Sequence, residues 1–185
     1  MLLRDFKRED IAKRIEWETE KTEWQLWDAP WEYEGLTEEQ KKEELQKYIK
    51  AMEKWAALYE TLSDEMPRKS FQICTPEGEY VGWCSSYFIN EDYDSDKDGD
   101  RLAIGIDLPE ESARRKGLAT HALQLFMAYL RTLGFTELYT QTWSGNERMI
   151  KLAEKLGFTE CSRESKECTV RGQQYDGLTF QIKMT

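Results

Sequence analysis

Residues 114–120, with the sequence Arg-Arg-Lys-Gly-Leu-Ala-Thr, combine residue types that suit the binding of a diphosphate, and they precede an apolar helical pattern. A diphosphate needs several hydrogen-bond donors at once. The free N–H groups at the N-terminus of a helix supply them, and the helix dipole adds a favourable field. Gly117 lets the backbone approach a phosphate without a side chain between them. The segment therefore predicts a cradle for a diphosphate-bearing cofactor.

All the residues of this segment are candidate cofactor contacts, through backbone N–H groups, a hydroxyl or basic side chains. A Walker P-loop is excluded because the chain has no Gly-Lys-Ser/Thr motif, and the segment lacks the three glycines of a dinucleotide-binding turn. Taken alone, the segment is equally consistent with a basic helix start whose glycine serves packing. The candidates are Arg114, Arg115, Lys116, Gly117, Leu118, Ala119 and Thr120.

A second segment begins 26 residues after Thr120 and has the sequence Asn-Glu-Arg-Met-Ile-Lys-Leu-Ala-Glu-Lys-Leu-Gly-Phe. It opens with Asn146, and asparagine is favoured at the N-cap of a helix. It closes with Gly157, and glycine readily adopts the left-handed conformation that ends many helices. The pattern predicts a short helix over residues 146–156, in which the N-cap role alone is enough to account for Asn146.

In this order and at this spacing, the two segments resemble the coenzyme A signature of the GNAT superfamily of N-acetyltransferases. The family's pattern, Gln/Arg-x-x-Gly-x-Gly/Ala, is matched by Arg114, Gly117 and Ala119. The resemblance covers most of the chain, tightly over residues 101–185 and loosely before them, and favours the branch that contains ribosomal-protein N-terminal and spermidine acetyltransferases. It implies one domain over residues 1–185 with an α+β fold: a mixed, mainly antiparallel sheet flanked by helices, in three α/β/α layers.

The resemblance also implies an activity. The cosubstrate is acetyl-CoA, and the acceptor is a primary amine of a small cationic molecule or of a protein N-terminus, which attacks the thioester directly. The family is compatible with a homodimer. Arg148 and Lys151 are equally well explained as solvated helix charges. The further coenzyme contacts that the resemblance implies are Ile106, Asp107 and Leu108 beside the pantetheine, Asn146 on the pantetheine arm, and Arg148 and Lys151 near the phosphates.

The groups that protonate the departing thiolate in this family are absent. Many relatives have a tyrosine where this chain has Ala153, and some ribosomal-protein acetyltransferases use a serine where it has Met149. A water, Ser144 or a strand tyrosine could replace them, and Ser144 and Tyr175 are our candidates, with Tyr87 and Tyr139 as further possibilities. Because both positions depart from the pattern, a non-catalytic acyl-CoA-binding or sensor module of the same fold is the alternative function.

Asp107 is the candidate general base. It falls in an alternating pattern, on the strand face opposite Ile106, and a carboxylate there could take a proton from an ammonium nucleophile through water. Glu110 and Glu111 are weaker candidates because they lie in the loop that follows. A solvated surface charge is the simpler explanation for any one of the three carboxylates.

An aromatic cluster before residue 32 lies where GNAT enzymes build their acceptor pocket. Trp27 and Trp31 are the candidate substrate contacts, because aromatic faces beside carboxylates bind cations. Core packing explains at least half of these tryptophans without any ligand. The cluster consists of Trp17, Trp24, Trp27 and Trp31, with Glu18, Glu20, Glu23 and Asp28 as its carboxylates.

The composition restricts the partners. The 185-residue chain has a net charge of −10, which argues against nucleic acid and suits a cationic substrate or solubility alone. Four scattered cysteines and one histidine argue against zinc. The acidic loop at 94–100 copies only half of a calcium loop, since its twelfth position is Gly105. We therefore expect no metal. Without an apparent membrane span or signal peptide, we expect a cytoplasmic protein that does not bind membranes.

Periodicity predicts the elements that position these residues. Helices are expected after a cap at Asp10, from a capping box at residues 37–40 to the neighbourhood of Pro67, and over residues 117–133. Alternating patterns predict strands near residues 2–3, 71–73, 80–89, 104–108 and 138–142, and two more that meet near residues 171–172. Elements in this order place helices against a mixed sheet.

Overall fold

The computed structural model describes residues 2–184, which form four α-helices, seven β-strands and three short 3-10 turns. The helices are α1 (Asp10–Thr19), α2 (Glu38–Tyr59), α3 (Leu118–Thr132) and α4 (Glu147–Leu156). The strands are β1 (Leu2–Arg4), β2 (Ser70–Cys74), β3 (Tyr80–Ile89), β4 (Arg101–Asp107), β5 (Glu137–Trp143), β6 (Thr159–Val170) and β7 (Gln173–Lys183).

The strands form one sheet in the order β1-β2-β3-β4-β5-β7-β6. Neighbouring strands are antiparallel except β4 and β5, which run parallel. Parallel neighbours need a crossover connection, and α3 provides it. Helices pack against both faces of this mainly antiparallel sheet. The predicted α+β fold is therefore confirmed.

The main core lies between one face of the sheet and the helices α3 and α4. Leu123, Phe126 and Leu130 are three and four residues apart, so they share one side of α3. Each apolar side chain buried in such a layer contributes roughly 1.5–3 kcal/mol. This layer fixes β4 and β5 against the same helix. The strand residues in it include Cys84, Leu102, Ile104, Leu138, Leu178 and Phe180.

The opposite face is covered at the β2–β3 end by α1, with α2 packed behind it. Trp17 is fully buried there, and its ring centroid lies 4.8 Å from that of Tyr80. Arg14 is also buried, stacks 3.2 Å from the centroid of Trp83 and donates to Tyr80 and Gln72. Asp107, the candidate base on β4, is the register partner of Trp83 and shares this face of the sheet.

The starts of the helices follow the chemistry of their caps, with one departure. Thr37 and Gln40 form the predicted capping box at the start of α2. The prediction that Asp10 caps α1 is wrong, because Asp10 is the first helical residue. Its carboxylate instead accepts hydrogen bonds from Arg4 and from the N–H of Lys7, and this holds the end of β1 against the helix.

The second helix ends earlier than predicted. It stops at Tyr59, well before Pro67. The N–H and the hydroxyl of Thr61 both donate to the carbonyl of Leu58, at 3.0 and 2.9 Å. A hydroxyl that bonds a nearby carbonyl competes with the helical pattern and tightens the last turn.

Gly82 on β3 should tolerate no larger residue. A Cβ atom there would lie 2.2 Å from the carbonyl oxygen of Asp107, which is held in the β3–β4 ladder. We expect Gly82→Ala to lower the free energy of unfolding by roughly 1–3 kcal/mol in urea denaturation. Gly105→Ala is the matched control, because a Cβ atom there meets nothing within 4 Å. It should change stability by less than about 1 kcal/mol, and equal losses in both variants would contradict this packing.

Candidate active site

The two parallel strands in the middle of the sheet separate soon after they meet. Within the described residues, the β4–β5 ladder matches only Ala103 with Tyr139, although each strand has seven residues. Both strands stay paired with their outer neighbours over their full length, β4 with β3 and β5 with β7. The sheet therefore contains a wedge-shaped gap that opens toward the carboxyl ends of β4 and β5.

The backbone groups of alternate residues on β4 face this gap. Ser86, the register partner of Ile104, donates its N–H to Lys69 on the β2 side at 2.7 Å. Ser86 and Ile104 are therefore not hydrogen-bonded to each other, and Ile104 turns its N–H and C=O toward β5. Ile106 lies two residues further along and turns the same way. Its N–H can donate a hydrogen bond to a ligand in the gap, and its C=O can accept one.

The N-terminus of α3 presents a row of backbone donors. Gly117 precedes the helix with a left-handed φ of 78°, and the first intrahelical bond joins the N–H of His121 to its carbonyl. In the part of the chain that the structure describes, the N–H groups of Leu118, Ala119 and Thr120 have no acceptor. Free donors are expected in a first helical turn, and here they are positioned to bind an anion.

The three basic residues before this helix have different surroundings. Arg114 donates to two backbone carbonyls at the end of β4, at 2.8 and 2.9 Å, and forms an ion pair with Glu23. Its guanidinium group therefore braces the loop between β4 and α3. Arg115 and Lys116 are exposed, and Arg115 has a left-handed φ of 60°. Their charges raise the potential near the donors without being committed to the fold.

Asn146 uses both ends of its side-chain amide. Its Oδ1 accepts from the N–H of Met149 at 3.1 Å, which caps α4 as predicted. Its Nδ2 donates to the carbonyl of Trp27 at 2.9 Å, and the indole of Trp143 donates to the same carbonyl at 2.8 Å. The loop that carries Trp27 is therefore attached to the end of β5 and to the start of α4.

Glu23 joins this loop to both signature segments. Its carboxylate accepts from Arg114, from Arg148 at 2.9 Å and from the indole of Trp27 at 2.9 Å. Arg148 also stacks 3.9 Å from the ring centroid of Trp27. Burial alone would raise the pKa of Glu23, but the hydrogen bonds from Arg148, Arg114 and Trp27 outweigh it and lower the pKa to about 2. Glu23 is therefore ionised and balances both arginines.

One cleft of about 1300 Å³ connects these features. On the side of α3 and α4, its basic lining residues are Arg114, Arg115, Arg148, Lys151 and Lys155. On the other side of the strand gap, its lining carboxylates are Asp28, Asp94, Asp107 and Glu167, and the aromatic residues of the cleft include Trp27, Trp31, Tyr87 and Tyr93. Apart from Glu111 and the ion-paired Glu23, the charges are separated, with cations beside the backbone donors and anions opposite them.

The carboxylates on the second side interact. Burial raises the pKa of Asp107 well above its ordinary value, and the charge of Asp28 raises it further while Arg14 opposes the shift. Burial, with a contribution from Glu32, raises the pKa of Asp28 to about 6, although part of this side chain is accessible from the cleft. Burial also raises the pKa of Glu18 to about 7. The pKa values of these three carboxyl groups are therefore all raised, and a bound cation would favour their ionised forms.

The candidate hydroxyl groups are placed differently. Tyr87 lines the cleft, donates to Gln141 at 3.1 Å, and has a pKa that burial raises to about 12. The hydroxyl groups of Tyr139, Tyr175 and Ser144 bond to neighbouring residues, and none of these three side chains lines the cleft. Among these four sequence candidates, Tyr87 is therefore the one whose side chain lines the cleft.

The other predicted site residues lie together. Every predicted coenzyme contact except Lys116 lines the cleft, and so do Trp27 and Trp31. Three lining residues that the sequence did not single out are Tyr93, Gln141 and Thr179. The one available signal was the alternation on β5, because Gln141 has the same parity as Tyr139 and Trp143 and therefore shares their face.

Two properties of the described residues bear on ligands. Across residues 2–184, no helix is long and apolar enough to cross a membrane. The described side chains also contain no group of three or more His, Cys, Asp or Glu residues that could hold a metal ion. In the acidic loop, Asn90 and Asp96 accept from the N–H groups of Asp94 and Asp98, as expected for a polar hairpin loop.

A strand gap beside the N-terminus of a helix has the shape and the backbone donors to suit an extended, phosphate-bearing ligand. The family model of the GNAT acetyltransferase domain matches residues 1–159. The chain therefore belongs to the GNAT acetyltransferase family. No curated protein matches it.

Solved structures have the same fold. A ribosomal-protein-alanine N-acetyltransferase from Brucella melitensis is 18% identical, with all of both chains covered and a TM-score of 0.64. A spermidine N-acetyltransferase chimera involving the Vibrio cholerae enzyme is 17% identical over 99% of this chain and 96% of the other, with a TM-score of 0.64. A phosphinothricin acetyltransferase from Sinorhizobium meliloti, in complex with AcCoA, is 19% identical over 62% of this chain and 60% of the other, with a TM-score of 0.52.

Glu23→Gln keeps the size of the side chain and removes the charge that two arginines share. We expect it to lower the free energy of unfolding by about 1–3 kcal/mol, the contribution of hydrogen bonds between charged groups. Urea denaturation at neutral pH measures the loss. Glu20→Gln is the control, because Glu20 is exposed at the end of α1, and it should change stability by less than about 0.5 kcal/mol. Equal stability of the two variants would contradict the role of Glu23 as a link.

Proposed function

We propose that the protein transfers an acetyl group from acetyl-CoA to a primary amine of a small cationic molecule. One observation carries the proposal. A single cleft joins a strand gap and a row of free backbone donors on one side to interacting carboxylates between aromatic side chains on the other. The first side suits pantetheine and a diphosphate, and the second suits a cationic amine. Membership of an acetyltransferase family supports this combination.

The residues around the gap fit the coenzyme. Ile106, flanked by Asp107 and Leu108, offers its backbone N–H and C=O to the amides of pantetheine, in the manner of an added strand. The free N–H groups of residues 118–120 offer donors to the diphosphate. Arg115, Lys116 and Lys151 are proposed to attract the phosphates through their charge.

The remaining signature side chains act less directly in this proposal. Arg114, Asn146 and Arg148 are hydrogen-bonded to Glu23 or to the carbonyl of Trp27. They hold the loop that forms the wall between the coenzyme side and the acceptor side. Their spacing in the signature is then explained by the assembly of the cleft as well as by contact with the coenzyme.

The acceptor side favours a small polycation over a protein N-terminus. Asp28 is exposed at the cleft and Asp107 is half-buried, and desolvation by the cleft walls is the largest cause of the raised pKa of both. Trp27 and Trp31 stand on the same side of the cleft and could add cation–π contacts. A cation with several amino groups would satisfy more than one carboxylate, whereas a peptide would have to bring an uncharged backbone into an acidic pocket.

One residue of the chain is proposed as the base, and another as a hydrogen-bond donor to the leaving group. We propose that Asp107 takes a proton from the ammonium group of the acceptor through a water, so that the neutral amine can attack. Bound acetyl-CoA supplies the activated acetyl group, and its carbon–sulfur bond is broken as the amide bond forms. Tyr87 is the proposed hydrogen-bond donor to the departing sulfur, because it stands opposite Ala103, where the gap begins. The attacking nitrogen gives up its second proton to solvent as the amide forms, and solvent returns a proton to the coenzyme A thiolate.

A non-catalytic acyl-CoA-binding module is the second candidate. Ala153 is fully buried in the core between α4 and the sheet, so the position of the usual tyrosine cannot donate a proton. This module would bind the coenzyme and release no thiol with any amine. Acetylation of a polyamine by the wild-type protein would exclude it.

Arg115 carries a positive charge close to the free backbone N–H groups at the start of α3. Arg115→Ala should weaken the binding of coenzyme A about 3- to 10-fold in isothermal titration calorimetry, the effect of one exposed ion pair, and the loss should shrink at high salt. Arg131→Ala removes a charge in the last turn of the same helix and should leave binding unchanged. Absence of coenzyme binding by the wild-type protein would contradict the proposed function itself.

Another prediction concerns pH. Because the pKa of Asp28 is raised to about 6, this carboxyl loses its charge as the pH falls through that value. With spermidine as the test amine, the KM should therefore rise on acidification from about pH 7 to pH 5. Asp28→Asn should raise the KM about tenfold at pH 8 and flatten this dependence. Asp64→Asn is an exposed control. An unchanged KM in Asp28→Asn would contradict a cationic acceptor at this carboxylate.

A further inference from the structure

The ladder between β4 and β5 stops at a definable hydrogen bond. Ile104 turns its backbone groups toward β5, and its neighbour Ala103 is matched with Tyr139. In a regular parallel ladder that continues from this pair, the carbonyl of Ile104 accepts from the N–H of Gln141. The next rung would then join Gln141 to Ile106. The gap begins where these bonds would stand.

A side chain donates a hydrogen bond to the carbonyl that the next ladder bond would use. The hydroxyl of Thr140 donates to the carbonyl of Ile104 at 2.8 Å. Thr140 is 1% exposed, so this bond is shielded from water. The carbonyl of Ile104 therefore has a side-chain donor from β5, and within the described residues Gln141 has no matched residue on β4.

We propose that Thr140 is a positioning residue that holds the gap between β4 and β5 open. Its hydroxyl supplies the donor that the buried carbonyl of Ile104 requires, so the two backbones need not approach closely enough for a ladder bond. The groups of Ile106 then stay available to a ligand. Thr140 itself lies on the helix-covered face, since it is directly paired with Phe180, whose side chain lies in the main core with that of Ile104.

The neighbours of Thr140 keep β5 in the register that this role requires. Thr140 is paired with Phe180 of β7, whose side chain lies in the main core. On the cleft side, the side-chain Nε2 of Gln141 donates to the hydroxyl of Thr179 at 3.2 Å and to the carbonyl of Tyr93 at 2.8 Å. The strand is thus held from both faces, and the Thr140 hydroxyl decides which donor meets Ile104.

A pair of substitutions separates the hydroxyl from the shape of the side chain. Thr140→Val keeps the branched shape and removes the donor, so the carbonyl of Ile104 must find another partner, and the N–H of Gln141 is the one that extends the ladder. Thr140→Ser keeps the hydroxyl. We expect coenzyme A to bind about tenfold more weakly to Thr140→Val than to the wild-type protein, and to bind Thr140→Ser within about twofold.

The hydrogen-exchange rate of the Gln141 backbone N–H can be measured by NMR. If Thr140 only stabilised the fold, Thr140→Val would not slow this exchange. The backbone N–H of Gln141 should exchange with solvent more slowly in Thr140→Val than in the wild-type protein, even if the variant melts at a lower temperature. Faster or unchanged exchange at Gln141 together with unchanged coenzyme affinity would overturn the proposal. So would an equal loss of affinity in Thr140→Ser, because the hydroxyl would then have no special part.

The inference about affinity rests on the proposed function, whereas the inference about the ladder does not. If the wild-type protein failed to bind coenzyme A, the proposed function would fail. The exchange rates at Gln141 in the wild-type protein, Thr140→Val and Thr140→Ser would still decide whether the Thr140 hydroxyl keeps the strands apart.

Discussion

The separation of β4 from β5 after one matched pair is the constraint on which the rest of the site depends. Core residues of α3 pack on both strands from one face, so the strands share a rigid support while their backbones diverge. A buried backbone group needs a hydrogen-bond partner. The carbonyl of Ile104 finds one in Thr140, whereas the groups of Ile106 face the gap. A ligand with its own amides is the natural partner for them.

The charges of the cleft follow from where each element enters it. Basic residues come from the start of α3 and from α4, and carboxylates come from the loop after α1, the loop between β3 and β4, the end of β4, and β6. Glu23 is the exception that joins the two sides, since its low pKa reflects pairing with Arg114 and Arg148. This arrangement suits two molecules that meet in the cleft, one with an anionic end at the basic side and one that is cationic at the acidic side. An acyl-CoA and an amine acceptor are such a pair.

The parts of the fold that depend on local chemistry could be predicted from the sequence. The capping box at Thr37, the cap at Asn146 and the glycine before α3 each act within a few residues of themselves. The early end of α2 and the position of Asp10 could not be predicted, because they depend on Thr61 and Arg4 competing for nearby groups. Glu23 was visible only as one carboxylate among several, since its partners lie 91 and 125 residues away along the chain. The role of Thr140 depends on strand register, which residue types alone do not specify.

The release of coenzyme A thiol from acetyl-CoA, followed with a panel of amines at pH 8, tests the central claim most directly. The account predicts release with diamines and polyamines such as spermidine, and little or none with neutral primary amines or with peptides that present a free N-terminus. Thiol release that depends on the amine would show that the protein uses both the coenzyme and the amine acceptor. Tight binding of the coenzyme with no thiol release from any amine in the panel would contradict the account and favour a binding module.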